Sequence, residues 1–382
     1  MNFSILGSYG EHNLGDEAIL EGFLSFVCSE NKENKVAVFS HSPTKSAKIH
    51  RFPHVTFRPM IATGLRSFVK QIINGSFVKS FRLLRESDAI IIGGGGLFHE
   101  KEVGQGGFSP VFVWFLRMLL FRFVVRRPVY LLGIGISKLE SKESQWFMKK
   151  ILQWSSKVMV RDTSSLTTND QRSTSTVGDL AWLSSTNSPQ RIFNHSKPLQ
   201  VVLQLREVLG LEKEQLLEQL SIFLELLVES FDAHVVFLPL SFEGPDDRRI
   251  QKELIALSNH QKNFELLECS TPQRVRDELQ NVDIVITTRF HGFILALQTG
   301  AIPLVLSYAS KTDSLVQEFQ VFSKENGFPV IPSFSVFHIQ PGELLNAVKF
   351  IYEHEKLLQK AIRAFVSKKN QEVSKYIREI FS

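Results

Sequence analysis

The chain has 382 residues, 43% hydrophobic and 22% charged, which exceeds one ordinary core, suits two folded domains and excludes a disordered or fibrous chain. Two cysteines, Cys28 and Cys269, exclude a disulfide framework and point to a reducing, cytoplasmic compartment. The net charge of +5 is not gathered into a run of the nucleic-acid kind, so no nucleic-acid partner is expected.

From the N-terminus, Met1 to Gly7 lacks the basic start and long apolar core of a signal peptide and reads as a strand. Short apolar runs then alternate with helical stretches, the pattern of a parallel sheet covered on both faces. The predicted strands are Phe3–Gly7, Val36–Ser40, Ala89–Ile92, Val129–Gly133 and Val158–Val160. The predicted helices are Asp16–Cys28, Leu65–Arg85, Pro110–Val124 and Lys142–Trp154. Gly75 interrupts the second of these. Its basic residues stand among bulky apolar ones, which suits either a helix covering the sheet or a peripheral patch on anionic lipid. The longest apolar stretch, Phe108–Val125, carries Arg117 and Arg122 and is therefore not a membrane span. It reads as a core helix with a solvated edge, or as an interfacial one.

A polar segment, Ser184–Pro189 and then Asn194–Pro198, has the composition of a linker. A second alternation follows, with strands Leu199–Leu205, Val235–Leu238, Ile284–Thr287 and Pro303–Leu306. One of its helices opens at Pro272, capped by Ser270-Thr271. The last forty residues carry apolar side chains at helical spacing. The expected organisation is residues 1–185 as one doubly wound α/β domain, 199–340 as a second, and 341–382 as C-terminal helices.

In such sheets ligands bind beyond the carboxyl ends of the strands. After the first strand comes Gly7-Ser8-Tyr9-Gly10-Glu11-His12-Asn13-Leu14-Gly15-Asp16-Glu17. Its glycines permit a tight turn, and Asn13 or Asp16 suits the cap of the next helix. The loop reads as an anion or sugar cradle, or as a plain capped connection. The run Gly93-Gly94-Gly95-Gly96 implies close approach of a ligand or of another chain segment to the backbone. Arg161-Asp162 and Gly178-Asp179 follow later strands and suit caps or site residues. Two arginines, Arg206 and Arg289, end two strands of the second sheet on one edge. His291, two residues from Arg289 in an extended segment, is expected to point the same way, and Tyr308 and Lys311 reach the same edge. Guanidinium forks match carboxylate and phosphate oxygens, so the implied ligand is a small, strongly anionic molecule. No histidine, cysteine and carboxylate cluster has metal-ligand spacing, so no metal and no cofactor is expected.

The loop Gly7-Ser8-Tyr9-Gly10, Asn13-Leu14-Gly15-Asp16-Glu17-Ala18 resembles the opening signature of the polysaccharide pyruvyltransferases. Gly93–Gly96 with Leu97-Phe98, Gly133-Ile134-Gly135-Ile136, Arg161-Asp162 with Ser165, and Gly178-Asp179 continue it in order. Arg289-Phe290-His291-Gly292, Gly300 with Pro303, and Tyr308 with Lys311 complete it. The resemblance implies a fold similar to GT-B glycosyltransferases, with two Rossmann-like domains facing across a cleft. It implies phosphoenolpyruvate as donor substrate and a sugar diol as acceptor, on a surface polysaccharide or a saccharide or lipid-linked saccharide precursor. The product is a cyclic pyruvate ketal. The first domain becomes the acceptor side, with Gly10, Asn13, Gly15, Gly94 and Gly95 as binding residues. The second becomes the donor side, where the Arg-x-His pair maps onto Arg289 and His291, joined by Arg206, Lys311 and Arg161. His291 suits the acid, since imidazole exchanges protons readily in both directions, and Asp16, Glu17 and Glu100 are the candidate bases. The sequence departs from the family at Glu100, where Asp is frequent, at Phe290, usually Leu, and at Ala309-Ser310, often Asp-Pro. A nucleotide-sugar glycosyltransferase of the same fold and a non-catalytic scaffold are the competing readings. An enzyme of this kind belongs in the cytoplasm, peripheral to the inner face of the membrane.

Overall fold

Two parallel sheets account for the alternation, because connecting helices bury the short apolar runs on both faces. The structure is a computed structural model that describes all residues except 101–107, 166–173, 185–197, 209–211, 244–245 and 382, and only the backbone of Leu65 and Thr174. The chain divides into two compact units. The first comprises Met1–Glu11, Asp16–Ser185 and Lys369–Ser382, and the second His12–Gly15 and Thr186–Lys368. Most of the predicted linker lies outside the described residues.

In the first unit the strands are β1 (Asn2–Leu6), β2 (Lys35–Ser40), β3 (Val55–Pro59), β4 (Ala89–Phe98), β5 (Val129–Ile136), β6 (Lys157–Val160) and β7 (Thr174–Thr176). They pair in the order β3-β2-β1-β4-β5-β6-β7, all parallel. The helices are α1 (Leu14–Glu30), α2 (Pro43–Ile49), α3 (Leu65–Ile73), α4 (Ser76–Glu86), α5 (Pro110–Leu119) and α6 (Lys142–Trp154). The chain winds outward from β1 through α1 and α2, then returns to β4 and winds the other way. Right-handed crossovers therefore lay α1 and α2 on one face and α3 to α6 on the other. One buried cluster joins Leu84 of α4, Met118 of α5 and Ile151 of α6 to Ile90, Leu131 and Ile134 of the sheet.

The second unit repeats the plan with β8 (Gln200–Gln204), β9 (His234–Phe237), β10 (Phe264–Leu266), β11 (Ile284–Thr287), β12 (Ile302–Ser307) and β13 (Ser333–Ser335), ordered β10-β9-β8-β11-β12-β13. Its helices are α7 (Lys213–Phe231), α8 (Asp247–Leu257), α9 (Pro272–Leu279), α10 (Phe290–Thr299) and α11 (Ser310–Glu325). As predicted, α9 opens at Pro272, with the Thr271 hydroxyl accepting from the Arg274 amide at 3.1 Å. The chain closes with α12 (Pro341–Phe381), whose residues from Lys369 onward belong to the first unit.

The stretch Leu65–Arg85 is two helices, broken at the interruption the sequence marks, where Gly75 adopts φ 68°. Two local expectations change. The apolar helix from Pro110 widens into a π-helical turn, Leu120–Val125, closed by Arg126 in the left-handed region. The glycine run does not follow β4 but lies within it, and Gly94 and Gly95 bend the strand with φ 64° and 77°.

Candidate active site

In the second sheet β8 is flanked by β9 on one side and β11 on the other, so the connections that follow β8 and β11 run in opposite directions. This is the topological switch point, where side chains beyond the strand ends meet least obstruction. Gln204 lies opposite Thr287 in the pairing of β8 with β11. The Arg206 amide donates to Thr288 Oγ1 at 3.2 Å, which sets both strand-end arginines on the carboxyl edge.

Different partners hold the two guanidinium groups. Arg206 Nη1 donates to the Tyr308 hydroxyl at 2.7 Å, and its guanidinium carbon lies 5.2 Å from the Tyr308 ring centroid. Tyr308 comes from the turn after β12, so it ties that turn to the end of β8. Arg289 pairs with Asp247, the first residue of α8. The other carboxylate oxygen of Asp247 accepts from the Leu240 and Ser241 amides, each at 3.1 Å. Burial pushes the Asp247 carboxyl up from the usual range, against the pull of Arg289 and the two amides. Lys311 is the second residue of α11 and is half-buried.

His291 corrects its expectation. It does not stand in an extended segment with Arg289, because α10 already begins at Phe290 and Arg289 is its N-cap residue. The two side chains therefore leave the backbone on a helical turn. Gly292 is the third residue of α10, and a side chain there would collide with Gln204 and Thr287. Gln204 is buried, and among the described residues neither atom of its side-chain amide has a hydrogen-bond partner.

The tetrapeptide His12–Gly15 groups with this unit. The Leu14 amide donates to the Leu240 carbonyl at 2.8 Å and the Phe242 amide to the His12 carbonyl at 3.1 Å. His12 Nε2 lies 2.8 Å from Glu243. Asn13 Oδ1 accepts from the Gly15 amide at 3.1 Å, a local cap of the kind expected. A Cβ on Gly15 would collide with the His291 imidazole, so the third glycine of the loop makes room for the histidine.

The remaining predicted residues lie in the first unit, the glycines and Asp16 at its own switch point between β1 and β4, Glu100 against the start of α6 and Arg161 beyond β6. Protein groups fill most of the room its glycines leave. The Tyr9 hydroxyl donates to the Gly93 carbonyl at 2.8 Å, and a Cβ on Gly94 would collide with Ile19 of α1. A Cβ on Gly95 would lie 2.9 Å from Asp16 Oδ1. The Gly10 amide donates to Glu17 Oε1 at 2.7 Å, and Glu17 Oε2 meets His50 Nε2 at 2.6 Å, with both side chains buried. Glu100 accepts from the amides of Glu140 and Ser141 and from the Ser141 hydroxyl, at 3.1, 2.9 and 2.7 Å. These donors, the Ser141 hydroxyl foremost, bring its carboxyl down to about 2. Arg161 is buried, 3.1 Å from Asp162 and 3.9 Å from Asp179. A Cβ on Gly135 would lie 2.5 Å from its guanidinium. The structure thus gathers Arg206, Arg289, His291, Lys311, Asn13 and Gly15 in one unit, and Gly10, Asp16, Gly94, Gly95, Glu100 and Arg161 in the other.

Sequence reasoning missed Asp247 and Gln204. Asp246-Asp247 reads as a helix opening, and Asp246 does cap α8, accepting from the Arg248 amide at 3.0 Å. Gln204 carried a signal, a glutamine inside the apolar run Val201-Val202-Leu203-Gln204-Leu205.

A family model described as polysaccharide pyruvyl transferase matches residues 13–310. No curated protein matches the chain. Among solved structures, a putative UDP-N-acetylglucosamine 2-epimerase from Listeria monocytogenes superposes with a TM-score of 0.65 at 11% identity, covering 100% of this chain and 96% of that one. A glycosyltransferase from Rickettsia africae gives 0.63 at 13% identity, covering 100% and 97%. Anabaena HepE, solved with UDP and glucose, gives 0.60 at 14% identity, covering 100% and 99%. At these identities the likeness is one of fold, the GT-B fold with its two parallel-sheet α/β domains.

Proposed function

The chain belongs to the polysaccharide pyruvyl transferase family, and we propose that it moves the pyruvyl group of phosphoenolpyruvate onto two hydroxyls of a saccharide, forming a cyclic ketal. The observation that carries this reading is the buried Asp247–Arg289 pair beside His291 at the switch point of the second sheet. A guanidinium held in place by a buried carboxylate is pre-oriented for a compact anion. Phosphoenolpyruvate offers a phosphate and a carboxylate to Arg289, Arg206 and Lys311. The buried ion pairs of Arg161 suit it to supporting the first unit rather than to gripping the donor.

In the proposed reaction His291 gives a proton to the methylene carbon of the donor, and the adjoining carbon becomes electrophilic. One sugar hydroxyl adds there and loses its proton to a base. The bond from carbon to the phosphate oxygen then breaks, and phosphate departs with the bonding pair. The second hydroxyl oxygen takes its place, losing its own proton and closing the ring. Of the candidate bases, Glu17 is committed to His50 and Gly10, and Glu100 is held in its weakly basic form on the N-terminus of α6. Asp16, half-buried in the first turn of α1, is the base we favour. A cytoplasmic location fits a donor that is an intracellular metabolite.

The test is incubation with phosphoenolpyruvate and candidate glycosides, reading phosphate release and the mass gain of a pyruvate ketal. His291→Ala is expected to lower turnover by about 10²–10⁴-fold with the fold intact. Binding of a nucleoside diphosphate without any binding of phosphoenolpyruvate would overturn the reading in favour of a nucleotide-sugar glycosyltransferase.

A further inference from the structure

The first unit has one outward face whose composition does not fit bulk water. Its helices α3 and α4 expose Ile72, Ile73 and Val78, with Ile73 at 80% and Val78 at 64%. Across α3 and α4 the sequence carries five basic residues and one acidic one, Glu86, which pairs with Arg82 at 2.7 Å and leaves four basic residues in excess. The patch continues onto neighbouring elements through side-chain contacts. Phe68 of α3 meets Phe77 of α4 at 4.9 Å between ring centroids. Arg127, just past the π-helical turn, donates to the Arg85 carbonyl at the end of α4 at 2.6 and 2.9 Å. Phe123 of that turn meets Trp154 of α6 at 5.2 Å. Phe123 and Val124 are about as exposed as Trp146 of α6, which stands at 50%. No acidic residue occurs between Val103 and Leu139, while Arg122, Arg126 and Arg127 are exposed. The crossover rule puts all these helices on the same side of the sheet.

We propose that this face docks on the surface of an anionic lipid bilayer. The inference rests on the surface alone and does not depend on the proposed reaction. Exposed aliphatic and aromatic side chains ringed by arginine and lysine, with almost no acid, match the boundary between acyl chains and anionic headgroups. Trp146, with the Lys150 ammonium 5.8 Å from its ring centroid, has the amphipathic character favoured at that depth. A second copy of the chain is a poor occupant, because two such faces repel each other by charge. Among the described residues no helix is long and apolar enough to cross a membrane, so the contact is peripheral.

The experiment is flotation of the purified full-length protein with two vesicle types, phosphatidylcholine alone and phosphatidylcholine with about one third phosphatidylglycerol. The protein is expected to float with the anionic vesicles at low salt, and to be released by high salt. The double variants Lys70→Glu/Lys79→Glu and Ile73→Glu/Val78→Glu are each expected to lower partitioning at least about tenfold. These side chains are exposed, so circular dichroism and thermal midpoints should stay at wild-type values. Wild-type protein left unbound by anionic vesicles at low salt overturns the proposal. Equal binding to neutral vesicles, or charge-reversed protein that floats like wild type, overturns it also. Self-association abolished by Ile73→Glu/Val78→Glu, without flotation, would assign the face to a second copy instead.

Discussion

Arg289 is costly to hold in place without Asp247, and Asp247 without Arg289. A buried carboxylate or guanidinium that loses its partner keeps its desolvation penalty, so removing either one alone is expected to destabilise the second unit by about 3–5 kcal/mol. Removing both replaces two buried charges with apolar groups. The double variant Arg289→Ala/Asp247→Ala should therefore be more stable than the sum of the singles predicts, with a coupling of about 0.5–3 kcal/mol in denaturant unfolding. Strict additivity would mean that the pair does not form. Activity separates the roles more cleanly with Arg289→Lys, which keeps the charge and loses the fork, and which should still lose most turnover. At this scale the sequence showed the arginines and the histidine, because their residue types at strand ends have few structural uses. It hid Asp247, because an acid opening a helix already has a sufficient structural reason to be there. It also left open whether Glu17, Glu100 and Arg161 serve chemistry or support, which only their buried or capped partners reveal.

Gly15 links an element of the chain to a side chain far away in sequence. It lies in the first turn of α1, in ordinary helical conformation, where alanine is intrinsically better than glycine by roughly 0.5–1 kcal/mol. Nothing in the backbone demands glycine. What demands it is His291, whose ring occupies the space a methyl group would take. Gly15→Ala is thus expected to leave the helix content unchanged or slightly higher and to displace the imidazole. Turnover should fall by about tenfold or more, as misplacing a catalytic group by a fraction of an ångström does. Unimpaired turnover in a folded Gly15→Ala protein would detach the loop from the histidine. Gly135 has the same kind of cause, close approach by Arg161, whereas Gly94 combines close approach by Ile19 with a left-handed backbone at φ 64°. The sequence announced close approach at the glycine run without saying what approaches. Its element readings failed in an equally ordered way. The interior strands were legible because they are continuous apolar runs. Strands β3, β7, β10 and β13 escaped notice, and all four are sheet edges. Edge strands here are three to five residues long and largely polar or half-exposed, which removes both the length and the pattern that periodicity detects.

At the scale of the whole molecule, the last helix contributes residues to both units. Its helical spacing was plain in the sequence, and no glycine or proline after Gly342 interrupts it, so the expected group of C-terminal helices is one continuous α12. The change of allegiance at Lys369 was not legible, because the apolar period runs on unchanged while the surface it meets changes. Before that point Phe365 packs on Phe319 of α11, with ring centroids 5.1 Å apart. After it, the Lys369 ammonium donates to the Val177 carbonyl at 2.8 Å, the Asn370 amide to the Trp182 carbonyl at 2.7 Å, and Phe381 meets Phe3 of β1 at 5.1 Å. The end of the chain is thus part of the core of the unit that begins it. All four tryptophans, Trp114, Trp146, Trp154 and Trp182, belong to that unit, so their emission reports its unfolding alone. Ile377→Ala removes a fully buried side chain from the returning segment and is expected to lower the tryptophan-detected stability by about 2–5 kcal/mol. Ile362→Ala truncates an equally buried side chain earlier on the same helix, within the second unit. It should lower stability seen by far-ultraviolet dichroism while moving the tryptophan midpoint much less. If both variants shift the tryptophan midpoint equally, the two units unfold as one, and if Ile377→Ala shifts neither signal, the returning segment is not part of the first core.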